Sequence, residues 1–523
     1  MPLPSEGTAW PPIDPAIRSD MEDWAAWFSA NPDRLAYRYS NRHRDSARYG
    51  PAHNRPSQYR GGVVGRMARW FWGEPTPLGE KRANLHMPLA RDIARTSSDL
   101  LYSEPPALKV EHTGTQEVLE GLLNTGLKRT LIAAGAAGSA LGGAYLRNVW
   151  DTDISPLPWI GRVRADNAIP EFAHGEKLRA VTFWTVLEID GQKVVRHLER
   201  HEPGYVLHGV YEGTTDHLGK PRALTDFAAT KDLPPVRQLP AGMEKRLLVA
   251  YVPNTMDAPD WDDLPGAAGL GTSDFQGAET FLSAIDETYT SWMRDIRLAR
   301  SRIIVPSGYL QSNGPGAGAL WEDREVFAAM NIPPTEKQEI TLNQFVIRHE
   351  EHRATIEELA GKTVRNAGYS GGTFGDDSDG PAVTATEIKA RSARSMGTRA
   401  RKSELAMPGI ADITESHLML LASGLFHGAP SVEVQRPNVE FQDSVQDDIK
   451  TLAETSALMR QAEAASTDTL VALLHPDWDE DRRRAEVDGI LAESGRAVSD
   501  PVLTGAEGDA DAGFPSDGGG FGA

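Results

Sequence analysis

His197, Glu199, His201, Glu202 and His208 crowd into one short stretch of the chain. Imidazoles and carboxylates are the groups with which proteins hold a divalent metal and activate water. In an extended strand alternate residues share a face, so His197, Glu199 and His201 project together and a site is geometrically allowed. A metal-dependent hydrolase built on His197, His201 and His208, with His349 and His352 in support, is therefore one function to carry forward. The polar face of a β-hairpin accounts for the same pattern.

Other chemistry-bearing patterns are weaker. His349-Glu350-Glu351-His352 departs from HExxH, since its two imidazoles are three rather than four residues apart, and suits a solvated or subunit-facing surface. Gly314, Gly316 and Gly318 resemble a phosphate cradle in composition only, since no Gly-Lys-Ser/Thr follows. Cysteine is absent, which removes disulfides, thiolate nucleophiles and cysteine metal sites and fits a protein assembled in a reducing cytoplasm. The expectation is a chain with no catalytic residues, no metal and no cofactor.

Charge narrows the choice further. Lys and Arg number 54 against 74 Asp and Glu, a net charge of −20. Tight binding of nucleic acid rests on cations that neutralise phosphates, so either DNA is irrelevant to this chain or it must not stick.

A chain of 523 residues exceeds one ordinary core and implies several structural units. The opening MPLPSEGTAWPPIDP lacks the basic-then-apolar order of a secretory signal and reads as a flexible Pro-rich arm, with a short helix near Met21 to Phe28. Between Gly61 and Pro106 apolar residues recur at helical spacing until Pro105 and Pro106 stop the helix. Leu131 to Leu146 is uncharged and rich in glycine and alanine. It falls short of the roughly 20 apolar residues a bilayer needs, and a tightly packed helix is expected there rather than a membrane span.

The period then changes. Ala180–Ile189, Lys193–Glu202 and Tyr205–Glu212 alternate apolar with polar residues around Asp190-Gly191 and Pro203-Gly204, a β-meander. Ser273-Asp274-Phe275-Gln276 has the form of a capping box opening a long helix from Asp274 to Arg302. Phe281, Ile285, Trp292 and Ile296 would form its packing stripe. A second helix is expected from Gln344 to Asn366. AGYSGGTFGDDSDGPAV follows, a long loop of the kind that is usually functional. Thr384-Ala385-Thr386-Glu387 then opens a helix carrying Lys389, Arg391, Arg394, Arg399, Arg401 and Lys402. These bases would pair with acids elsewhere or, in part, face DNA. An apolar helix over Ile410 to Leu425, helices near Ile449–Leu474 and Glu480–Glu493, and a disordered Gly/Asp tail complete the chain.

Five segments, LLYSEPPAL, GGAYLRNVWD, AETFLSAIDETYTSWMRDIRLARSRIIVP, QFVIRHEEH and AGYSGGTFG followed by TATEI, occur in an order that resembles the portal proteins of tailed bacteriophages over roughly residues 60 to 495. The resemblance implies a helix-dominated α+β fold that assembles as a ring, about twelve subunits in the family, around a central DNA channel. Carried over, residues 1–59 form an N-terminal arm, 60–272 a wing domain, 273–302 and 344–367 two stem helices, and 303–343 a clip between them. Residues 368–383 form a loop in the tunnel, 384–442 long helices and a connection returning to the wing, 443–495 a crown, and 496–523 the tail.

The implied partners are further copies of the chain, double-stranded DNA passing without sequence preference, the terminase motor, adaptor or head-completion proteins, and capsid and scaffolding proteins, with no membrane. The implied place is the portal vertex of the virion. In the tunnel loop Tyr369, Ser370, Thr373, Phe374, Asp376, Asp377 and Asp379 are the residues expected near DNA. Asp376, Asp377 and Asp379 would repel a passing duplex, and Phe374 would brace the loop or touch it. The loop is more acidic than a cationic DNA grip, which favours centring or steric gating over an active ratchet.

Overall fold

The computed structural model describes residues 3–42, 85–261, 263–264, 266–298, 302–306, 327–330, 341–343, 347–375, 385–441, 449–462, 464–475, 478 and 480–493. The chain divides into two compact units, Met1–Gln442 and Asp443–Ala523. Helix and sheet are mixed, an α+β fold.

The N-terminal segment is where the sequence reading needs its first correction. Helix α1 (Pro15–Ser29) starts on Asp14, whose side chain accepts from the Ala16 N–H at 2.8 Å, with Pro15 at the first helical position. A short turn leads to α2 (Pro32–Arg42). Trp10, Trp24 and Trp27 are buried, and the Trp24 indole donates to Glu279 at 2.9 Å. The backbone N–H of Trp10 donates to Asp216 at 2.8 Å, and its ring meets Trp184 edge-on. What reads as a flexible arm is therefore core over its described part, because its tryptophans bury more apolar area than solvation of a free arm would return.

Helix α3 (Leu89–Tyr102) buries Leu89, Ile93 and Leu101. After Pro105 and Pro106 the chain turns into β1 (Ala107–Lys109), then α4 (Thr113–Leu122), a π-turn over Leu123–Leu127, and α5 (Lys128–Leu141). The small residues of α5 let α3 close on it: a Cβ at Gly135 would lie 2.8 Å from the Tyr102 ring. The helix expected over Leu131 to Leu146 ends at Leu141. Gly142 adopts φ +84°, and Ala144, Tyr145 and Leu146 belong to strand β2 (Gly143–Val149). An apolar run without period does not itself distinguish buried helix from buried strand. Among the described residues no helix is long and apolar enough to cross a membrane.

Strands β3 (Trp159–Arg164), β4 (Ala168–Ala173), β5 (Lys177–Asp190), β6 (Lys193–Glu202), β7 (Tyr205–Gly213), β8 (Lys220–Arg222), β9 (Val236–Gln238) and β10 (Val249–Pro253) follow. The expected meander is present as the centre of an antiparallel sheet ordered β4-β5-β6-β7-β8, with β9 also paired to β7. A second sheet is ordered β10-β2-β3.

Helix α6 (Glu279–Leu298) is shorter than expected, since residues 274–278 form turns. Strands β11 (Arg302–Pro306), β12 (Phe327–Met330) and β13 (Thr341–Asn343) make a small sheet, parallel between β11 and β12 and antiparallel between β11 and β13. Helix α7 (His349–Asn366) then runs antiparallel to α6, as two cross-links require: Asn366 donates to the Gln276 carbonyl at 2.7 Å, and His352 meets Asp295 at 3.0 Å. Of the stripe expected on α6, Ile285 is buried, Phe281 and Trp292 are half-buried, and Ile296 is 40% exposed.

Helix α8 (Ala385–Ala422) joins into one element what the sequence reads as two helices. It carries Pro408 internally, and Gly409 follows at the point of closest approach to β10, where a Cβ would lie 2.8 Å from the Tyr251 carbonyl oxygen. Strand β14 (Asn438–Glu440) returns to pair antiparallel with β1.

In the second unit α9 (Ile449–Gln461), α10 (Thr467–Leu474) and α11 (Glu480–Glu493) follow in turn. The single helix expected over Ile449–Leu474 is broken by Ser466, whose hydroxyl caps α10 by accepting from Thr469 N–H at 3.3 Å.

Candidate functional site: the segment after α7 and the buried lysine beneath it

Helix α7 ends in a Schellman turn. Gly368 takes φ +88°, its N–H donates to Arg365, and the Tyr369 N–H reaches Val364 at 3.0 Å. A side chain at position 368 would meet the Thr398 hydroxyl at 2.8 Å, while that hydroxyl donates to the Gly368 carbonyl at 2.6 Å. The turn directs Tyr369 inward, where it is 2% exposed. Tyr369 is thus corrected from a channel-facing residue to a core residue of the subunit.

Its phenol oxygen sits on the ammonium of Lys402, which donates to it at 2.9 Å. Lys402 also donates to Ser97 at 2.9 Å and to both Asp274 oxygens at 2.8 and 2.6 Å. Three acceptor groups match the three hydrogens of an ammonium. Asp274 accepts in addition from Ser139 at 2.6 Å, Asn254 at 2.8 Å and the Tyr369 hydroxyl at 3.3 Å. Burial lowers the Lys402 pKa, with Asp274 opposing, and burial together with Asp274 pushes the Tyr369 phenol up. The cluster ties α3, α5, the entry to α6, the exit from α7 and α8 to one point. Asp274 is therefore a buried counter-ion rather than the first-turn acid of a capped helix.

Above Tyr369 the described part of the expected loop runs to Gly375. Gly371–Phe374 is a single 3-10 turn, held by three hydroxyls: Ser370 and Thr373 lie 2.9 Å apart, and Ser395 of α8 lies 2.9 and 2.7 Å from them. Phe374 packs edge-on against Tyr369, with centroids 6.1 Å apart. Asp376, Asp377 and Asp379 lie outside the described residues, as do Gly314, Gly316, Gly318 and Thr384. Of the bases on α8, Arg399 donates to the Leu100 carbonyl and Arg394 to the Arg365 carbonyl at the end of α7. Lys402 is ion-paired with Asp274; the side chains of Lys389 and Arg391 lie outside the described residues.

The histidine group of the meander is assembled differently from a ligand set. Glu199 pairs across the sheet with His208, and His197 sits one alternate position away on the same face. His197 Nε2 and His208 Nδ1 are 3.2 Å apart with their rings stacked. His201 and Arg147 both hold Glu199, at 2.7 and 2.6 Å. Burial pushes the Glu199 carboxyl up, yet the hydrogen bond and charge of His201, joined by Arg147, outweigh it and hold it well below the usual range. Burial lowers His197 and takes His208 down to about 4. His349 is exposed, and His352 stacks on Trp292 and meets Asp295, bridging the two helices. Among the described residues no group of three or more His, Cys, Asp or Glu is placed to hold a metal ion.

Two arrangements escaped the sequence reading, the Lys402–Asp274 pair and a His86–Asp286 pair at 2.8 Å. Both join residues far apart in the chain and leave no local spacing signal. Comparison with models of known protein families gives no match, and no curated protein is similar to the chain in sequence.

Proposed function

We propose that the chain is the subunit of a portal ring in a tailed bacteriophage, a non-enzymatic channel through which double-stranded DNA enters and leaves the capsid. The observation that carries the reading is the antiparallel pair α6 and α7 with a small three-stranded sheet inserted between them, followed at once by the segment 369–375 and the long helix α8. That order supports a stem, a clip, a tunnel loop and a helix returning to a wing built around the meander.

The electrostatics support the same reading. A net charge of −20 on each subunit, repeated around a ring, gives a wall that does not trap a phosphate backbone. The anchored turn Ser370–Phe374 would act as a fixed root for Asp376, Asp377 and Asp379, which would keep the duplex centred. The motor, adaptor, capsid and scaffolding proteins would be its partners at the vertex, and the energy for packaging would come from the motor.

Negative-stain class averages of the purified chain test the proposal. Rings with a central hole wide enough for a duplex support it, and solely compact particles without rotational symmetry count against it.

A further inference from the structure

Antiparallel pairing of β6 with β7 sets His197 opposite Val210 and His208 opposite Glu199, so the two imidazoles share one diagonal of one sheet face. Rings can meet across such a diagonal. Here they lie near-parallel, 16° between planes and 5.3 Å between centroids, and His197 Nε2 stands 3.2 Å from His208 Nδ1. The nitrogens are closer than the ring centres by nearly two ring radii, so each is directed at the other. Two imidazole nitrogens bound at about 2.0–2.1 Å to one tetrahedral ion lie about 3.3–3.4 Å apart. The fold therefore already holds this pair at the spacing of two ligands of one ion.

The surroundings suit a cation. Glu199 acts electrostatically on both imidazoles, and although His201 takes one of its oxygens and Arg147 the other, each oxygen keeps a second lone pair. Burial disfavours charging either ring, and the neutral imidazole is the form that ligates. Exchanging the shared hydrogen for an ion only requires each ring to carry its hydrogen on the outer nitrogen, Nδ1 of His197 and Nε2 of His208. His197 is part-exposed and the Glu199 side chain is 20% exposed, so a small ion can reach the rim of the sheet. Paired imidazoles select zinc, nickel and copper, whereas magnesium and calcium require oxygen ligands.

We propose that His197 Nε2 and His208 Nδ1 bind one divalent transition-metal ion of the zinc, nickel or copper type, with Glu199 as the neighbouring negative charge and water in the remaining positions. Three converging ligands are absent among the described residues, so this is a two-imidazole clip of moderate affinity between β6 and β7 and not a closed structural centre. The site is independent of the portal reading.

Titration calorimetry of the chelator-stripped full chain with zinc chloride and magnesium chloride at neutral pH tests it. The result expected is saturable zinc binding with a Kd on the order of 10 µM and none for magnesium. His197→Gln and His208→Gln should each weaken zinc binding at least about tenfold, since loss of an outer-shell partner alone costs about that much. The double variant should bind no more weakly than either single one, and His349→Gln, on an exposed imidazole, should change nothing at this site. Pulsed EPR of the wild-type chain with one equivalent of copper(II) needs no variant to fold, and nitrogen couplings from two imidazoles are expected. Unchanged zinc affinity in H197Q or H208Q, magnesium binding as tight as zinc, or coupling to a single imidazole would each overturn the proposal.

Discussion

Lys402 and Asp274, 128 residues apart in the chain, form a fully buried ion pair in which one ammonium donates to both carboxylate oxygens. Their side chains are 3% and 2% exposed. An ion pair so deep contributes modestly as a pair, but each half is costly alone. Lys402→Met is expected to destabilise the first unit by about 3–5 kcal/mol, because Asp274 is left charged and buried, while Lys402→Met with Asp274→Asn recovers part of that loss. Urea denaturation measures both. A cost for K402M of no more than about 0.5 kcal/mol, the level of a surface lysine, would contradict this account.

The acid limb of stability should be set by buried histidines. His417 is 2% exposed, hydrogen-bonded to Asn148 at 2.8 Å, and brought down to about 4 by burial. Its folded value lies below the unfolded value, so the unfolded chain binds the proton first. The stability it contributes is complete above about pH 6.5 and is lost as pH falls towards 4, with a slope of about 1.4 kcal/mol per pH unit. His208, also at about 4, acts over the same window. His417→Gln should reduce the slope of stability between pH 6.5 and 4 by about one proton's worth. An unchanged slope in that variant would show that His417 titrates normally.

Gly142 closes α5 at φ +84°, with a Cβ there placed 2.2 Å from the Gly271 carbonyl oxygen. Gly142→Ala meets both a backbone strain and a steric clash with main chain. The expected cost is at least about 2 kcal/mol in urea denaturation.

The first thirty residues should behave as core. Trp24→Ala is expected to cost about 3–5 kcal/mol, and deletion of residues 1–31 to abolish soluble expression. A deleted chain with an unchanged Tm would return the segment to the status of a loose arm.

How much of this was legible in the sequence depends on the range of the interaction. The meander was, because alternation and a glycine at each turn are local signals, and the same alternation placed His197, Glu199 and His201 on one face. The neutralisation of Glu199 by Arg147 was not, since Arg147 lies on a strand of the other sheet. Ser273-Asp274-Phe275-Gln276 carried a true local pattern with the wrong meaning: Ser273 does accept from the Phe275 N–H at 3.0 Å, yet Asp274 turns inward to a lysine that no window around it contains. Tyr369 was placed in a loop by its glycine-rich neighbours, and only the Schellman turn at Gly368 reveals that it points into the core.

The central claim is that the chain is a ring subunit, and native mass spectrometry of the purified protein at micromolar concentration tests it most directly. The account predicts a dominant closed species of about twelve copies of the 56.9 kDa chain, stable on dilution. A spectrum holding only one or two copies at every concentration and salt condition would contradict it.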